Sequence, residues 1–339
     1  MTEIARTDAE DLLPAKIIGN SPALRDIRAL IKRIAVYDAT VSIYGETGTG
    51  KELVARALHY CSGRASGPFV PVNCGAFPEQ LIESELFGHK RGAFTDARDD
   101  RSGLIEQANG GTLFLDEVEA LSPHAQVVLL RFLQDHQYRR VGGGKLRTAN
   151  VRLVVASNIR LEQLDSQESP FRADLYYRLN VLPIDLPPLR DRGDDSVLLA
   201  THFLAKYRAL HSLPGKFLTP AALHWIAQHD WPGNVRELEN AVNRGILLAP
   251  DNAIEANHLD PRIQPGNDEI SAGVADLPFK AAKAQVIEDF EKRYLLALLA
   301  ACQGNITHAA QRAETERRTL GRLLQKHGIE RGSWAVSRN

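Results

Sequence analysis

Cysteine is scarce in this chain: Cys61, Cys74 and Cys302 are odd in number, far apart and share no CxxC spacing. That excludes a disulfide framework and a cysteine-held zinc site, and it fits a reducing cytosol. Long apolar runs are missing as well. The longest, Tyr294–Cys302, falls far short of the ~20 residues that cross a bilayer. Met1–Pro14 carries scattered acids where a secretory signal has an apolar core. The chain therefore reads as soluble and cytoplasmic, without a membrane partner. An excess of one charge is also missing, since the formal net charge is -1, which argues against a surface that binds polyanions throughout. The sum hides a basic end. From Gln303 onward seven basic residues (Arg312, Arg317, Arg318, Arg322, Lys326, Arg331, Arg338) face three acids (Glu314, Glu316, Glu330), the local excess that a nucleic-acid contact needs.

What is present is a change of pattern along the chain. From Lys16 to about Asp185, short β-branched runs alternate with helical spacing: Val41–Tyr44, Phe69–Val72, Thr112–Leu115, Val151–Ala156 and Val181–Ile184 read as buried strands. Such alternation implies an α/β fold with a parallel sheet and helices on both faces. Leu186-Pro187-Pro188-Leu189 breaks it, and Ser196–Leu210, Pro220–Gln228 and Val235–Leu248 read as helices of a separate subdomain. Arg262–Pro278, with two Pro and two Gly among polar residues, reads as a linker. Val286, Ile287, Phe290, Tyr294, Leu295, Leu298 and Leu299 then recur at helical spacing, and Gly304-Asn305 closes that helix before two shorter ones. The expected division is a tail (1–15), an α/β subdomain (16–185), a helical subdomain (186–262), a linker (263–279), an all-α domain (280–330) and a tail (331–339). No internal repeat is visible.

Chemistry enters at Gly45-Glu46-Thr47-Gly48-Thr49-Gly50-Lys51, set directly after a strand and opening a helix. In that context the glycines let backbone N–H groups approach phosphate, the helix N-terminus favours negative charge, and Lys51 reaches the β- and γ-phosphates of ATP. Glu52 stands where the general pattern places a hydroxyl on Mg2+, so metal binding leans on another carboxylate. The apolar run Thr112–Leu115 ends in Asp116-Glu117, which puts one acid on Mg2+ and the next beside the attacking water. Asp116 is read as the metal ligand and Glu117 as the general base.

These motifs resemble, in order and wording, the AAA+ domain of bacterial enhancer-binding proteins, the sigma-54-dependent activators of the NtrC class. The matching segments are GETGTGKE (45–52), ESELFGHKRGAFTDA (83–97), GGTLFLDEVE (110–119), FRADLYYRLNV (171–181), LPPLRDR (186–192) and WPGNVRELEN (231–240). Glu52 is also that family's habit. The resemblance covers nearly the whole chain. It implies an AAA+ P-loop NTPase with a helical lid, active as a ring, usually a hexamer, that remodels the closed complex of sigma-54 RNA polymerase. Arg172 and Arg178 match the arginine fingers that enter the neighbouring subunit's site. Asn158 and Arg236 match the two sensors of nucleotide state, and Asn73 the Asn that restrains the catalytic Glu until the target is engaged.

Gly92-Ala93-Phe94-Thr95-Asp96-Ala97 is similar to the family's GAFTGA loop, the surface that touches sigma-54. Phe94 is expected exposed at its tip as the main contact. Asp96 replaces the second Gly; Asp tolerates positive φ, so the backbone is expected to survive while the added carboxylate weakens or tunes engagement. The C-terminal end resembles the Fis-type helix-turn-helix, with Thr307-His308-Ala309-Ala310 and Arg317-Arg318-Thr319-Leu320 carrying the match. Thr307, Arg317, Arg318, Thr319 and Arg322 are the candidate contacts to DNA upstream of promoters, and Leu320, Leu323 and Leu324 are expected to pack inward. Ala313-Glu314-Thr315 replace the family's leucine-glycine-hydrophobic turn, which predicts an irregular turn.

The expected function is a DNA-binding regulator that hydrolyses ATP as a homo-oligomer to activate sigma-54 transcription. Two other readings stay open on the residues: a regulator that keeps the fold but acts without sigma-54, for which Asp96 argues, and an AAA+ machine acting on some other protein. The AAA+ pattern begins near Lys16, and no receiver domain fits in fifteen residues. Control is then expected from expression alone or from a regulatory protein acting in trans.

Overall fold

A computed structural model describes residues 17–76, 78–94, 97–160, 171–263 and, with interruptions, 278–329. The chain divides into two compact units, Met1–Pro261 and Arg262–Asn339. The first is built on five strands, here β1 (Val41–Tyr44), β2 (Phe69–Asn73), β3 (Thr112–Asp116), β4 (Arg152–Ser157) and β5 (Leu182–Asp185). They are the five buried runs of the sequence. All pair in parallel, in the order β2-β3-β4-β1-β5.

The strands read as continuous apolar runs because both faces are covered. Side chains alternate between two cores, as a period of two requires. Leu113, Leu115, Leu153 and Val155 enter one cluster, with Ile82, Leu129 and Phe132 from the helices over that face. Phe114, Val154 and Ala156 enter the other, with Val54 and Leu58 of helix Lys51–Tyr60 and Leu24, Ile27, Ile31 and Ile34 of helix Pro22–Ile34. The 24, 27, 31, 34 spacing is one helix face. Parallel strands share a direction, so their C-terminal ends lie along one edge, which is where open α/β sheets bind ligands.

Beyond β5, helices Asp195–Leu210, Pro220–Gln228 and Asn234–Leu248 enclose a third core around the fully buried Trp231. Its indole N–H donates to Ile226 O at 2.9 Å. Buried indole nitrogens need such a partner.

In the second unit, Leu295, Leu298, Leu299 and Cys302 pack with Ala309, Ala310, Leu320 and Leu324. Asn305 caps helix Ile306–Arg312, its Oδ1 accepting from the backbone N of Thr307 and His308. The turn to helix Arg317–Lys326 is regular rather than irregular. Thr315 N donates to Ala310 O and Glu314 N to Gln311 O, the paired closure that ends many helices, with Glu314 in the left-handed conformation at φ 49°. The departure lies in the residue and not in the geometry, since glycine normally holds that position. Glu314→Gly is therefore expected to stabilise this helical unit by about 1 kcal/mol, read as a higher midpoint for its own unfolding transition.

The linker and both tails lie largely or wholly outside the described residues. Among the described residues no helix is long and apolar enough to cross a membrane.

Candidate functional site

The loop after β1 turns back over the edge of the sheet and delivers Lys51 as the first residue of its helix. Gly48 has φ +81°, and a Cβ there would stand 2.4 Å from the Gly233 carbonyl oxygen. Only glycine fits both the conformation and the approach. Lys51 is buried, and its Nζ donates to Gly45 O at 2.7 Å, Glu46 O at 3.1 Å and Asn158 Oδ1 at 2.6 Å. The loop is thus closed on its own lysine.

The acids come from the neighbouring strand ends. Register pairs Asn73 at the end of β2 with Asp116 at the end of β3. Asp116 Oδ1 accepts from Glu117 N at 3.0 Å, and Glu117 leaves the strand at φ 54°. Its carboxylate and the Asn73 amide both border Gly75, where an added Cβ would lie 2.7 Å from Glu117 Oε2 and 3.3 Å from Asn73 Oδ1. Asn73 Oδ1 itself accepts from Ala76 N at 3.0 Å. Asn158 follows β4.

Gly48, Lys51, Asp116, Glu117, Asn158 and Arg236 line one cleft of about 340 Å3. Burial pushes the Lys51 ammonium down from its ordinary pKa, against the attraction of Asp116, Glu119 and Glu117. Burial likewise pushes the Asp116 carboxyl up, against Lys51. Desolvation outweighs the mutual attraction for both groups, so the cleft favours an added anion beside the lysine and an added cation beside the aspartate. A second cavity of about 320 Å3 shares Gly50, Leu53, Val235 and Glu239 with the first and is lined also by Ile17, Ile18, Leu199 and Phe203. Sequence reading missed it, because its walls come from segments remote along the chain.

The phosphate loop is also clamped by the helical subdomain. Glu46 takes both guanidinium nitrogens of Arg190 at 3.0 and 2.6 Å and the Asn234 amide at 3.1 Å, which together lower its pKa to about 2. Asn234 is fully buried, with φ 54°; its Nδ2 donates to Thr47 O and its Oδ1 accepts from Leu189 N. Arg192, buried, donates to Thr49 O and Pro187 O. Asn234→Ala strands Leu189 N and puts a Cβ-bearing residue without side-chain compensation in left-handed space. It is expected to lower stability by about 2–4 kcal/mol, measured by thermal or denaturant unfolding. The segments LPPLRDR and WPGN carry these residues, but no local signal marks them as clamps.

Three families match in sequence order: Sigma-54 interaction domain over residues 17–185, AAA+ ATPase lid domain over 190–274, and Bacterial regulatory protein, Fis family, over 286–327. The regulatory protein AtoC of Escherichia coli is 43% identical over 315 residues, 93% of this chain and 68% of AtoC. The chain belongs to the NtrC class of sigma-54-dependent AAA+ regulators. The nitrogen fixation protein AnfA of Azotobacter vinelandii is 41% identical over 96% of this chain, which spans 60% of AnfA. NtrX from Brucella abortus, solved in complex with ATP, superposes with a TM-score of 0.66 at 35% identity, over 93% of this chain and 69% of NtrX. The same protein in complex with ADP gives 0.66 at 34%. The fold is that of an AAA+ P-loop ATPase with a helical lid and a Fis-type helix-turn-helix, and regulation without sigma-54 finds no support in these matches.

Arg172, the N-cap of helix Ala173–Leu179, and Arg178, in its last turn, are both exposed, and neither lines the cleft. Arg172 pairs with Asp174 at 2.8 Å, and Arg178 Nη2 donates to Leu133 O at 3.2 Å. Tyr177 between them is 73% exposed. An exposed ion pair of this kind contributes little, so Arg172 is free to exchange Asp174 for another anion.

The GAFTGA-like loop is described only in part, since Thr95 and Asp96 lie outside the described residues. Gly92 N donates to Ala97 O at 2.8 Å and Ala97 N to Phe94 O at 3.0 Å, closing the loop at its base. Phe94 is 36% exposed and rests edge-on against His89 with ring centres 4.9 Å apart. It is exposed, with one edge of the ring against His89. Lys90 and Arg140 both approach Asp100, and Arg140 and Arg147 share Glu106 at 2.8 and 2.9 Å, tying the base of the loop to the chain near 140.

In the Fis-type unit Thr307, Arg317, Arg318 and Arg322 are exposed, Thr319 is half-buried, Leu320 and Leu324 are buried, and Leu323 is partly so.

Proposed function

We propose that this chain hydrolyses ATP in an oligomeric ring in the cytoplasm and spends the cycle on remodelling sigma-54 RNA polymerase at promoters near the DNA it binds. The observation that carries this reading is the convergence of Lys51, Asp116, Glu117, Asn158 and Arg236 on one cleft in a chain of the sigma-54 family. The apolar cavity beside Gly50 and Leu53 suits a purine base, and the triphosphate then lies over the N-terminus of helix Lys51–Tyr60. Lys51 exchanges its loop carbonyls for phosphate oxygens. Glu117 orients the attacking water and takes its proton as the water oxygen bonds to the γ-phosphorus. The bond to the bridging oxygen breaks, and ADP and phosphate leave.

Among the described residues no group of three or more His, Cys, Asp or Glu side chains is placed to hold a metal ion unaided. Asp116, a hard oxygen donor whose burial favours a cation, fits Mg2+ that takes its remaining ligands from phosphates and water. Bound there, Mg2+ supplies charge neutralisation for the phosphates. Arg172 and Arg178, exposed and outside the chain's own cleft, suit the role of fingers that reach the neighbouring subunit's γ-phosphate. Asn158 and Arg236 contact the same cleft from the sheet and the lid and suit the role of sensors. Phe94, with Gly92 and Ala97 closing the loop beneath it, is the contact to sigma-54, and Arg317, Arg318 and Arg322 face DNA.

A genome-wide binding map tests the pairing of DNA site and polymerase. Bound sites are expected upstream of sigma-54 promoter elements, and sites grouped at promoters without those elements would overturn the sigma-54 assignment.

A further inference from the structure

The acidic run at the end of β3 contains a third carboxylate that neither metal binding nor water activation uses. Glu119 Oε1 accepts from the backbone N of Asn158 at 3.0 Å. Asn158 Oδ1 in turn accepts from Lys51 Nζ at 2.6 Å. Glu119 sits in the short 3-10 turn Val118–Ala120 entered through Glu117, and Ala120 N donates back to Glu117 O at 2.9 Å. Glu117 and Glu119 therefore share one closed turn, and the phosphate-loop lysine hangs from it through Asn158.

We propose that Glu119 is a positioning residue that locks Asn158, and through it Lys51, to the turn bearing Glu117, so that the γ-phosphate sensor and the water-activating acid move as one piece. The proposal rests on the ATPase reading above. Three observations support it. A backbone N–H bonded to a carboxylate is about twice as strong as a neutral hydrogen bond, so this contact fixes the strand-end peptide that sets where Asn158 points. Glu119 Oε2 is buried without a hydrogen-bond partner, an arrangement that costs stability unless something else requires the residue there. Lys51 feels the Glu119 charge directly, next after that of Asp116. A glutamate whose carboxylate only meets solvent has none of these features.

The test uses the full chain and three variants, reading kcat and KM for ATP and the ratio of ATP to ADP affinity with fluorescent analogues. Glu119→Ala removes the acceptor. It is expected to lower kcat by about tenfold to a hundredfold, the scale of a misplacement near 1 Å, and to bring ATP affinity down toward that of ADP. Glu119→Gln keeps an acceptor oxygen in place and is expected to recover most of kcat and of the affinity ratio. Glu119→Asp keeps the charge but withdraws it by one methylene, and is expected to resemble Glu119→Ala. Wild-type kcat and affinity ratio in Glu119→Ala would overturn the proposal. Should that variant not fold, wild-type values in Glu119→Asp, or loss in Glu119→Gln equal to that in Glu119→Asp, would overturn it as well. A wild-type chain that neither binds nor hydrolyses ATP would instead overturn the ATPase reading.

Discussion

Lys51→Ala is expected to lose ATP binding while the protein stays folded. In the resting cleft the ammonium is surrounded by Gly45 O, Glu46 O and Asn158 Oδ1, all of which are acceptors that water can satisfy once the side chain is gone. The fold therefore loses little. The nucleotide loses its one buried cation at the β- and γ-phosphates. Removing one member of a buried, hydrogen-bonded charge pair costs about 2–5 kcal/mol, which is a fall in affinity of about 30-fold to several thousand-fold. Calorimetric titration with ATP measures it, and an unchanged unfolding midpoint shows that the loss is local. Arg236 also lines the cleft, so residual affinity at the weak end of this range is expected to come from the lid.

The Glu117 variants should separate binding from chemistry. Glu117→Ala is expected to hold ATP with near wild-type affinity, because Lys51 and the phosphate loop are intact, and to hydrolyse it about 10²- to 10⁴-fold more slowly, the usual contribution of a positioned base. Arg172→Ala and Arg178→Ala should also spare binding, and should slow hydrolysis by about 10³-fold or more if they act as fingers. Mixing a finger variant with Glu117→Ala is expected to restore some turnover, since some subunit interfaces then combine an intact Glu117 with an intact finger. Retained turnover in Glu117→Ala alone would remove the base assignment, and mixtures that stay inactive would place the two arginines in their own subunit's structure instead.

Much of this site was legible because its chemistry is carried by local patterns. Val41–Tyr44, Thr112–Leu115 and the other buried runs announce a parallel sheet, and a parallel sheet puts Gly45–Lys51, Asp116, Glu117 and Asn158 on one edge without further information. The clamp was not legible. Glu46, Arg190 and Asn234 lie far apart in sequence and meet only in the fold, where the lid packs on the loop, and nothing in the local spacing of Asn234 signals its left-handed backbone. Glu119 is hidden in the sequence for a related reason: it reads as one more acid in a run, and the distance to Asn158 N is what separates it from its neighbours. The turn Ala313-Glu314-Thr315 differs in the other direction. Its residues depart from the family's wording, yet Glu314 takes the conformation that glycine usually supplies, so backbone geometry tolerated what the wording did not suggest.

The two arginines and the loop around Phe94 bear on the same point. Among the described residues Arg172 pairs with Asp174, Arg178 donates to Leu133 O, neither lines the cleft of its own chain, and Phe94 rests against His89. In the proposed assembly the two arginines would face a neighbouring subunit and Phe94 would face sigma-54.

The central claim, that ATP turnover in this chain opens sigma-54 promoters, is tested most directly by open-complex formation on a sigma-54 promoter with purified protein and sigma-54 RNA polymerase. With ATP, open complexes are expected; with a non-hydrolysable analogue, or with the Glu117→Ala variant, they are not. Brisk ATP hydrolysis with no open complexes, or open complexes formed without hydrolysis, would contradict it.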